Sequence, residues 1–478
     1  MFFVLIFILI FAIAAIRDFR WGLFIFLASL PSYLIRFKIF GLPTTMLEVM
    51  FWILFFIWIT RMARRGGPAD NSNISVIRVG ISPLVKSKIF LPVIIFFVSS
   101  IIAIWVSPNH LAALGIWRAY FLEPMIFFVM LISTVGGETA NNTVGGLAAY
   151  KLVWPLAISV FYISIIAIAQ RFFGLAIPSP WQAELRVTSV FDYPNAVGLF
   201  VAPILMLILG LLISRIFANC TDLVTPPHPR TPRSLGERVV RGGIIRVIRV
   251  GISPLVKSRA WFDVKTVFLV ITFFLGILAI IFAKSDGAII GLAAGLAVFG
   301  LLYNRKARLA VAVAIIVISI VILAVPGVGE RVANQFLLGD WSGYVRQTMW
   351  GETWQMLKDN PLFGAGLAGY QTVFAPYHEA KGIEIFLYPH NIIFNFWSEL
   401  GILGLLAFGW MIIGWFKRLQ IADCRLQIFC VAATASMIVL LVHGLADVPY
   451  FKNDLAFLFW TIFAVPFLLT SGDPISNS

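Results

Sequence analysis

Charge is scarce in this chain. Asp, Glu, Lys and Arg make up 12% of its 478 residues against 60% apolar residues, with a mean hydropathy of +0.95. Soluble domains carry about twice that share of charge, so a water-soluble fold is excluded. Cysteine is scarce too: Cys220, Cys424 and Cys430 show no CxxC and no His/Cys spacing. Neither a metal site nor a disulfide framework is indicated. The opening "MFFVLIFILIFAIAAIRDFR" lacks a basic n-region and a small-residue cleavage site, so it reads as a first span and not as a removed signal peptide. Paired halves with broken helices, the mark of a secondary transporter or flippase, are missing. The one repeat, "VIRVGISPLVKS" at 76–87 and again at 247–258, is too short and too uniform for a structural repeat. It reads as a duplicated segment without catalytic role, or as a basic patch on membrane lipid. The net charge of +14 sits in a few loops that lack aromatic interleaving or any recognition module, so nucleic acid is not an expected partner.

What the chain has in abundance is long apolar runs. A hydrocarbon core of ~30 Å takes roughly 20 residues of helix. On that measure spans fall near 2–16, 21–35, 44–60, 89–106, 112–134, 152–170, 196–214, 266–283, 287–303, 309–325, 392–416, 427–445 and 455–471. The expected fold is an all-α integral membrane protein with about 12–13 transmembrane helices. It divides into N-terminal helices (1–134), central helices (152–325) with a cytoplasmic insert (217–263), a long loop (326–391) and C-terminal helices (392–472). Basic loops set orientation. "RMARRGG" (61–67), the stretch between Arg215 and Lys265, Arg305/Lys306/Arg308 and Lys417/Arg418/Arg425 all follow odd-numbered spans, which predicts a cytoplasmic side for each. The segments 171–195, 284–287, 326–391 and 446–454 then face outward.

Four of these outward stretches hold polar groups that membrane burial does not require. In "ELRVTSVFDYPNAVGLF" (184–200), Arg186 precedes a span opening at Pro194-Asn195, where Pro suits the first turn and Asn caps or points inward. An interfacial arginine and an ordinary helix start would look the same. "FAKSDGAIIGLAAG" (282–295) holds a Ser-Asp-Gly turn that turn chemistry alone can explain. In the long loop, Tyr344, Met349, Trp350, Trp354 and Leu357 recur at helical spacing, predicting an amphipathic helix at the membrane surface. Its Arg346 either snorkels there or faces a bound phosphate. "NPLFGAGLAGY" follows, a Pro/Gly turn whose backbone N–H groups could approach an anion. Finally, "FLYPHNIIFNFWSELGILGL" (386–405) opens a span with His390, Asn391, Asn395, Ser398 and Glu399. The last four share one helical face, which must turn toward protein or a watery cavity. Interhelical asparagines and a capping histidine are the structural alternative to a site.

At "GAGLAGYQTVF" and "YPHNIIFNFWSELGILGLLAF" the chain resembles the O-antigen ligase/polymerase superfamily of bacterial envelope glycosyltransferases. The matching pattern is an arginine-bearing helix (Arg346), Pro361-Leu362 with Gly364 and Gly366, His390-Asn391 opening a span, and Glu399-Leu400-Gly401 with Gly404. "RVTSVFDYPNAVGLF" is similar to the family's upstream segment and "HGLADVPYF" (443–451) to its outward turn near the C-terminus. The resemblance covers residues 110–470. It implies a GT-C-like fold in the bacterial cytoplasmic (inner) membrane, with the long extracytoplasmic loop capping an outward-facing cavity. It also implies a donor, a glycan on undecaprenyl pyrophosphate, and a hydroxyl acceptor on lipid A-core for a ligase or on another repeat unit for a polymerase. No metal, nucleotide sugar or cofactor is implied. On this reading His390 is the catalytic general base, and Arg346 and Arg186 steady the leaving pyrophosphate. Asn195, Asn391, Glu399, Gly364 and Gly366 would contact substrate. One departure stands out: the family often reads Ser-Arg-Gly where this chain has Ser285-Asp286-Gly287, and a carboxylate cannot hold pyrophosphate. Lys284 is the substitute cation, without the arginine's bidentate fork.

Overall fold

The computed structural model describes residues 2–39, 41–65, 84–139, 145–221, 263–330, 333, 339, 341–420 and 427–469. The repeat copy at 247–258, most of the copy at 76–87, Arg425, Gly66, Gly67 and nearly all of the insert 217–263 lie outside them. Apolar runs become helices because hydrocarbon offers no partner to main-chain N–H and C=O groups. The first two, α1 (Phe2–Arg17) and α2 (Phe19–Ala28), form a hairpin. Asp18 caps α2 by accepting the Arg20 N–H at 3.0 Å. The span expected at 21–35 is corrected here. Its α-helix stops at Ala28 and gives way to a 3-10 turn, Leu30–Leu34, that carries Pro31. Ten helical residues rise ~15 Å, half the hydrocarbon core. A short antiparallel hairpin, β1 (Arg36–Ile39) and β2 (Leu42–Thr45), then stands where only a connector was expected, with Gly41 at φ +82° in its turn.

The next helices are α3 (Met46–Arg65), α4 (Phe90–Val106), α5 (His110–Trp117) and α6 (Glu123–Thr139), the last two joined by a π turn at Arg118–Leu122. Then come α7 (Gly145–Phe173), α8 (Pro194–Thr221), α9 (Val264–Ala283), α10 (Asp286–Tyr303) and α11 (Arg305–Ala324). In the long loop lie α12 (Trp341–Asp359) and α13 (Tyr370–Phe374), followed by α14 (Ile392–Gln420), α15 (Gln427–His443) and α16 (Asn453–Leu469). Among the described residues, 8 helices are long and apolar enough to cross a membrane, and shorter apolar helices accompany them. The chain is an all-α integral membrane protein. The spanning stretch of α8 is 89% buried and sits at the centre, whereas that of α11 is 0% buried and lies at the rim.

The long loop does not simply float on the membrane. The inner face of α12 is Met349, Thr353, Met356 and Leu357, packed with Tyr370 and Phe374 into a second small core. Thr353 Oγ1 and Tyr370 OH lie 2.7 Å apart within it. The predicted apolar face is therefore divided: Met349 and Leu357 turn inward, while Tyr344 and Trp354 stay exposed. The loop's second core competes with the membrane for the same side chains, and takes two of the five.

The loop also grips α14 where that helix breaks. Gly401 sits at φ +73° inside α14, and a Cβ there would lie 2.2 Å from the Leu362 carbonyl oxygen. Ile402 N–H donates to that carbonyl (3.2 Å) and Ala365 N–H to the Ser398 carbonyl (2.7 Å). The loop thus supplies partners at the break, and the broken helix anchors the loop.

Candidate functional site

The site grows from the start of α14. Asn391 is its cap: Oδ1 accepts the N–H groups of Ile393 (3.0 Å) and Phe394 (3.2 Å). Its Nδ2 donates to the Leu445 carbonyl (3.0 Å), and Ile392 N–H donates to the Gly444 carbonyl (2.7 Å). The helix start is therefore seated on the turn after α15. His390 just before it takes φ +47°, a conformation uncommon outside glycine. That backbone puts the imidazole against the turn, with Nδ1 3.3 Å from Asp447 Oδ1. A carboxylate only accepts, so Nδ1 carries the proton and Nε2 keeps a lone pair. The rings of Tyr388 and Phe386 flank His390 at 4.9 and 5.2 Å.

Asp447 is buried, and burial works against its charge. The hydrogen bond and charge of His390, with His443 and the Val448 N–H, outweigh that penalty and hold the carboxyl well below the usual carboxylate range. Its other oxygen, Oδ2, accepts Asn195 Nδ2 at 3.1 Å, and Asn195 Oδ1 accepts Arg186 Nη2 at 3.4 Å. A single polar chain thus runs from Arg186 through Asn195 and Asp447 to His390. Arg186 also donates to the carbonyls of Ala283 and Lys284, both at 3.2 Å, and covers the Trp181 ring at 4.9 Å. Burial lowers its pKa, opposed by Glu184 and Asp286 and reinforced by Arg346. Lys284, in the left-handed C-cap of α9, gives one ammonium proton to the Glu184 carbonyl (2.9 Å). Arg346 is half-buried, and its charge reaches both Arg186 and His443. One turn further along α12, Trp350 Nε1 donates to the Pro389 carbonyl at 2.8 Å. That bond pins the arginine-bearing helix beside His390.

This arrangement joins a proton acceptor, an orienting carboxylate and clustered guanidiniums, and half of its residues fall within a stretch that a known family matches. Residues 271–409 match the family described as O-antigen ligase. Over that stretch the chain is a member of the O-antigen ligase family. The match holds Lys284, Arg346 and His390, and leaves Arg186, Asn195 and Asp447 outside its bounds. No curated protein matches the chain. That match supports a glycosyltransferase-like membrane enzyme in the broad sense.

The structure sorts the expected site residues into two groups. His390, Arg346, Arg186, Asn195 and Lys284 gather around one end of the bundle. Four others do something else. Glu399 is buried and accepts the Ala368 N–H at 2.9 Å, so it fastens the glycine loop. Gly364 N–H already donates to the Asn360 carbonyl, and a Cβ on it would lie 2.3 Å from the Trp397 carbonyl oxygen. Gly366 abuts the end of α4, where a Cβ would lie 2.5 Å from Ser107 N. Close packing accounts for both glycines, an account that stands beside the anion-cradle expectation. Asn391 is a cap that seats the helix and does not touch the histidine. Two residues escaped the sequence reading. Asp447 and His443 belong to "HGLADVPYF", a segment noted only for its similarity, and their partners are distant in sequence.

Proposed function

We propose that this superfamily member transfers a glycan from undecaprenyl pyrophosphate to an acceptor hydroxyl at the outer face of the bacterial cytoplasmic membrane. The carrying observation is the contact of Asp447 with Nδ1 of His390, which leaves Nε2 free to take a proton. In the step itself, the acceptor oxygen attacks the anomeric carbon while its proton passes to Nε2. The bond from that carbon to the pyrophosphate oxygen breaks, and its electron pair leaves with undecaprenyl pyrophosphate. Negative charge grows on the leaving group, and Arg186 and Arg346 face that charge, with Lys284 beside them. Guanidinium pairing with phosphate oxygens is the strongest stabilisation available to such a group. Asp286 contributes nothing to it, and its carboxylate partly offsets the cations. The acceptor distinguishes two forms of this reading: lipid A-core for a ligase, another repeat unit for a polymerase.

The test is deletion in the native host, with complementation by wild type and His390→Ala. Deletion should remove the glycan–lipid core bond if the protein is a ligase, or shorten chains alone if it is a polymerase. His390→Ala should restore neither, although the protein reaches the membrane at normal levels. Complementation by His390→Ala at wild-type level would remove the histidine from the mechanism.

A further inference from the structure

The turn at 361–363, which clamps the break in α14, carries apolar side chains that stand open at the surface. Leu362 is 63% exposed and Phe363 is 53% exposed. Beside them Trp397 of α14 is half-buried, and its Nε1 donates to the Pro361 carbonyl at 2.7 Å. The exposed ring of Trp354 on α12 meets the Trp397 ring edge-on at 5.7 Å. Four large apolar side chains from α12, the turn and α14 therefore lie together. The long loop has a core of its own for such groups, which holds Met349, Met356 and Leu357, yet these four are left outside it or at its margin.

The depth of the patch follows from the helix that it grips. Lys417 and Arg418 lie in the last turn of α14, and cations settle outside hydrocarbon. A hydrocarbon core of ~30 Å measured back from Lys417 takes about 20 residues at ~1.5 Å each, which reaches Trp397. Gly401 and Ile402 then lie about 6–8 Å inside that boundary. The Leu362 carbonyl rests against both, accepting the Ile402 N–H at 3.2 Å. The turn therefore lies alongside a stretch of α14 that is already within hydrocarbon. Tryptophans favour the boundary itself, where an apolar ring meets fatty chains and the indole N–H meets polar groups. Exposed leucine and phenylalanine side chains belong on its inner side.

We propose that the 361–363 turn is a wedge in the membrane leaflet on the loop's side, with Leu362 and Phe363 among lipid acyl chains and Trp354 and Trp397 at headgroup level. The wedge goes beyond the transfer reaction and does not depend on it. It gives α12 a second fixed point. Trp350 holds that helix at the Pro389 carbonyl, and Trp354, one turn on, holds it at the bilayer surface.

Nitroxide spin labels test it on the purified full chain in nanodiscs of phosphatidylethanolamine and phosphatidylglycerol, with Cys220, Cys424 and Cys430 replaced by serine. Leu362→Cys and Phe363→Cys each supply one labelling position. Leu406→Cys, on an exposed face of α14, and Lys381→Cys, exposed in the loop, calibrate lipid and water. At both turn positions a polar nickel chelate should collide with the label roughly five-fold less often than at Lys381, because polar solutes enter hydrocarbon poorly. Oxygen, which dissolves in hydrocarbon, should collide as often as at Leu406. Trp354→Cys should fall between the two standards, and it supplies a third label should a turn variant misfold. Nickel collisions at the turn that match Lys381 put it in water and overturn the wedge. Protection from both reagents means that protein covers the patch, whether a second copy or the loop itself, and overturns it equally.

Discussion

His390 reaches Asp447 across 57 positions of sequence, and the contact has a consequence for catalysis. Without the carboxylate, nothing on that side prefers an N–H at Nδ1, and the imidazole is free to hold its proton on the nitrogen that should receive one. Asp447→Asn keeps the size and both neighbours but offers an amide in place of one accepting oxygen. Transfer should fall by ~10²–10⁴-fold, the usual contribution of an oriented general base. Donor affinity should hold, because Arg186 and Arg346 are untouched. Parallel measurement of turnover and undecaprenyl pyrophosphate binding checks this, and a loss confined to binding would count against the orienting role. His390 was legible in the sequence because a histidine opening a membrane span is conspicuous. Asp447 was not, because an aspartate in "LADVP" looks like turn chemistry. Only folding shows that both its oxygens are accepting from distant side chains.

At the scale of elements, the motif Glu399-Leu400-Gly401 could be read, but its reason could not. The family resemblance implied substrate contact for Glu399, and the structure makes the motif one half of a clamp with residues 361–369. Gly401→Ala should destabilise the protein by about 2 kcal/mol or more, through a left-handed backbone and a clash with the Leu362 carbonyl. The melting temperature in detergent should drop accordingly, whereas Gly409→Ala, where a Cβ meets nothing within 4 Å, should leave it unchanged. A second element-scale device holds the end of the loop. Glu352 on α12 accepts His378 Nδ1 at 2.8 Å and the N–H groups of Glu379 (3.0 Å) and Ala380 (3.2 Å). The Glu352 hydrogen bond raises the His378 pKa above its ordinary value. A raised folded-state pKa means the contact stabilises fully below about pH 6.5 and weakens as pH climbs through the folded value. Amide exchange at Glu379 and Ala380, corrected for the intrinsic rate, should therefore accelerate between neutral and alkaline pH. His378→Gln should flatten that dependence; a wild-type profile equally flat would dissociate the latch from the histidine.

For the whole molecule, the apolar runs made the bundle legible, but not the order in which helices pack. Hydrocarbon surrounds every span alike, so hydropathy does not say that α8 lies at the centre and α11 at the rim. Small residues at close crossings decide that, since membrane helices associate by packing without a hydrophobic drive. A Cβ on Gly198 would lie 2.3 Å from Ala288 Cβ, and one on Gly210 would lie 2.3 Å from Ala432 Cβ. The first crossing sets α8 against α10 and the second sets it against α15. The site depends on both, because Asn195 rides on the start of α8 and Asp447 follows the end of α15. Gly210→Leu should push α8 and α15 apart at the end remote from the site, with an overpacking penalty of about 1–3 kcal/mol. Lever-like movement should lengthen the Asn195–Asp447 contact, so transfer should fall although no site residue has changed. Pairing Gly210→Leu with Ala432→Gly returns space to the crossing and should recover both melting temperature and transfer. Recovery of stability without transfer would mean that the crossing supports the bundle but does not position the polar chain from Arg186 to His390.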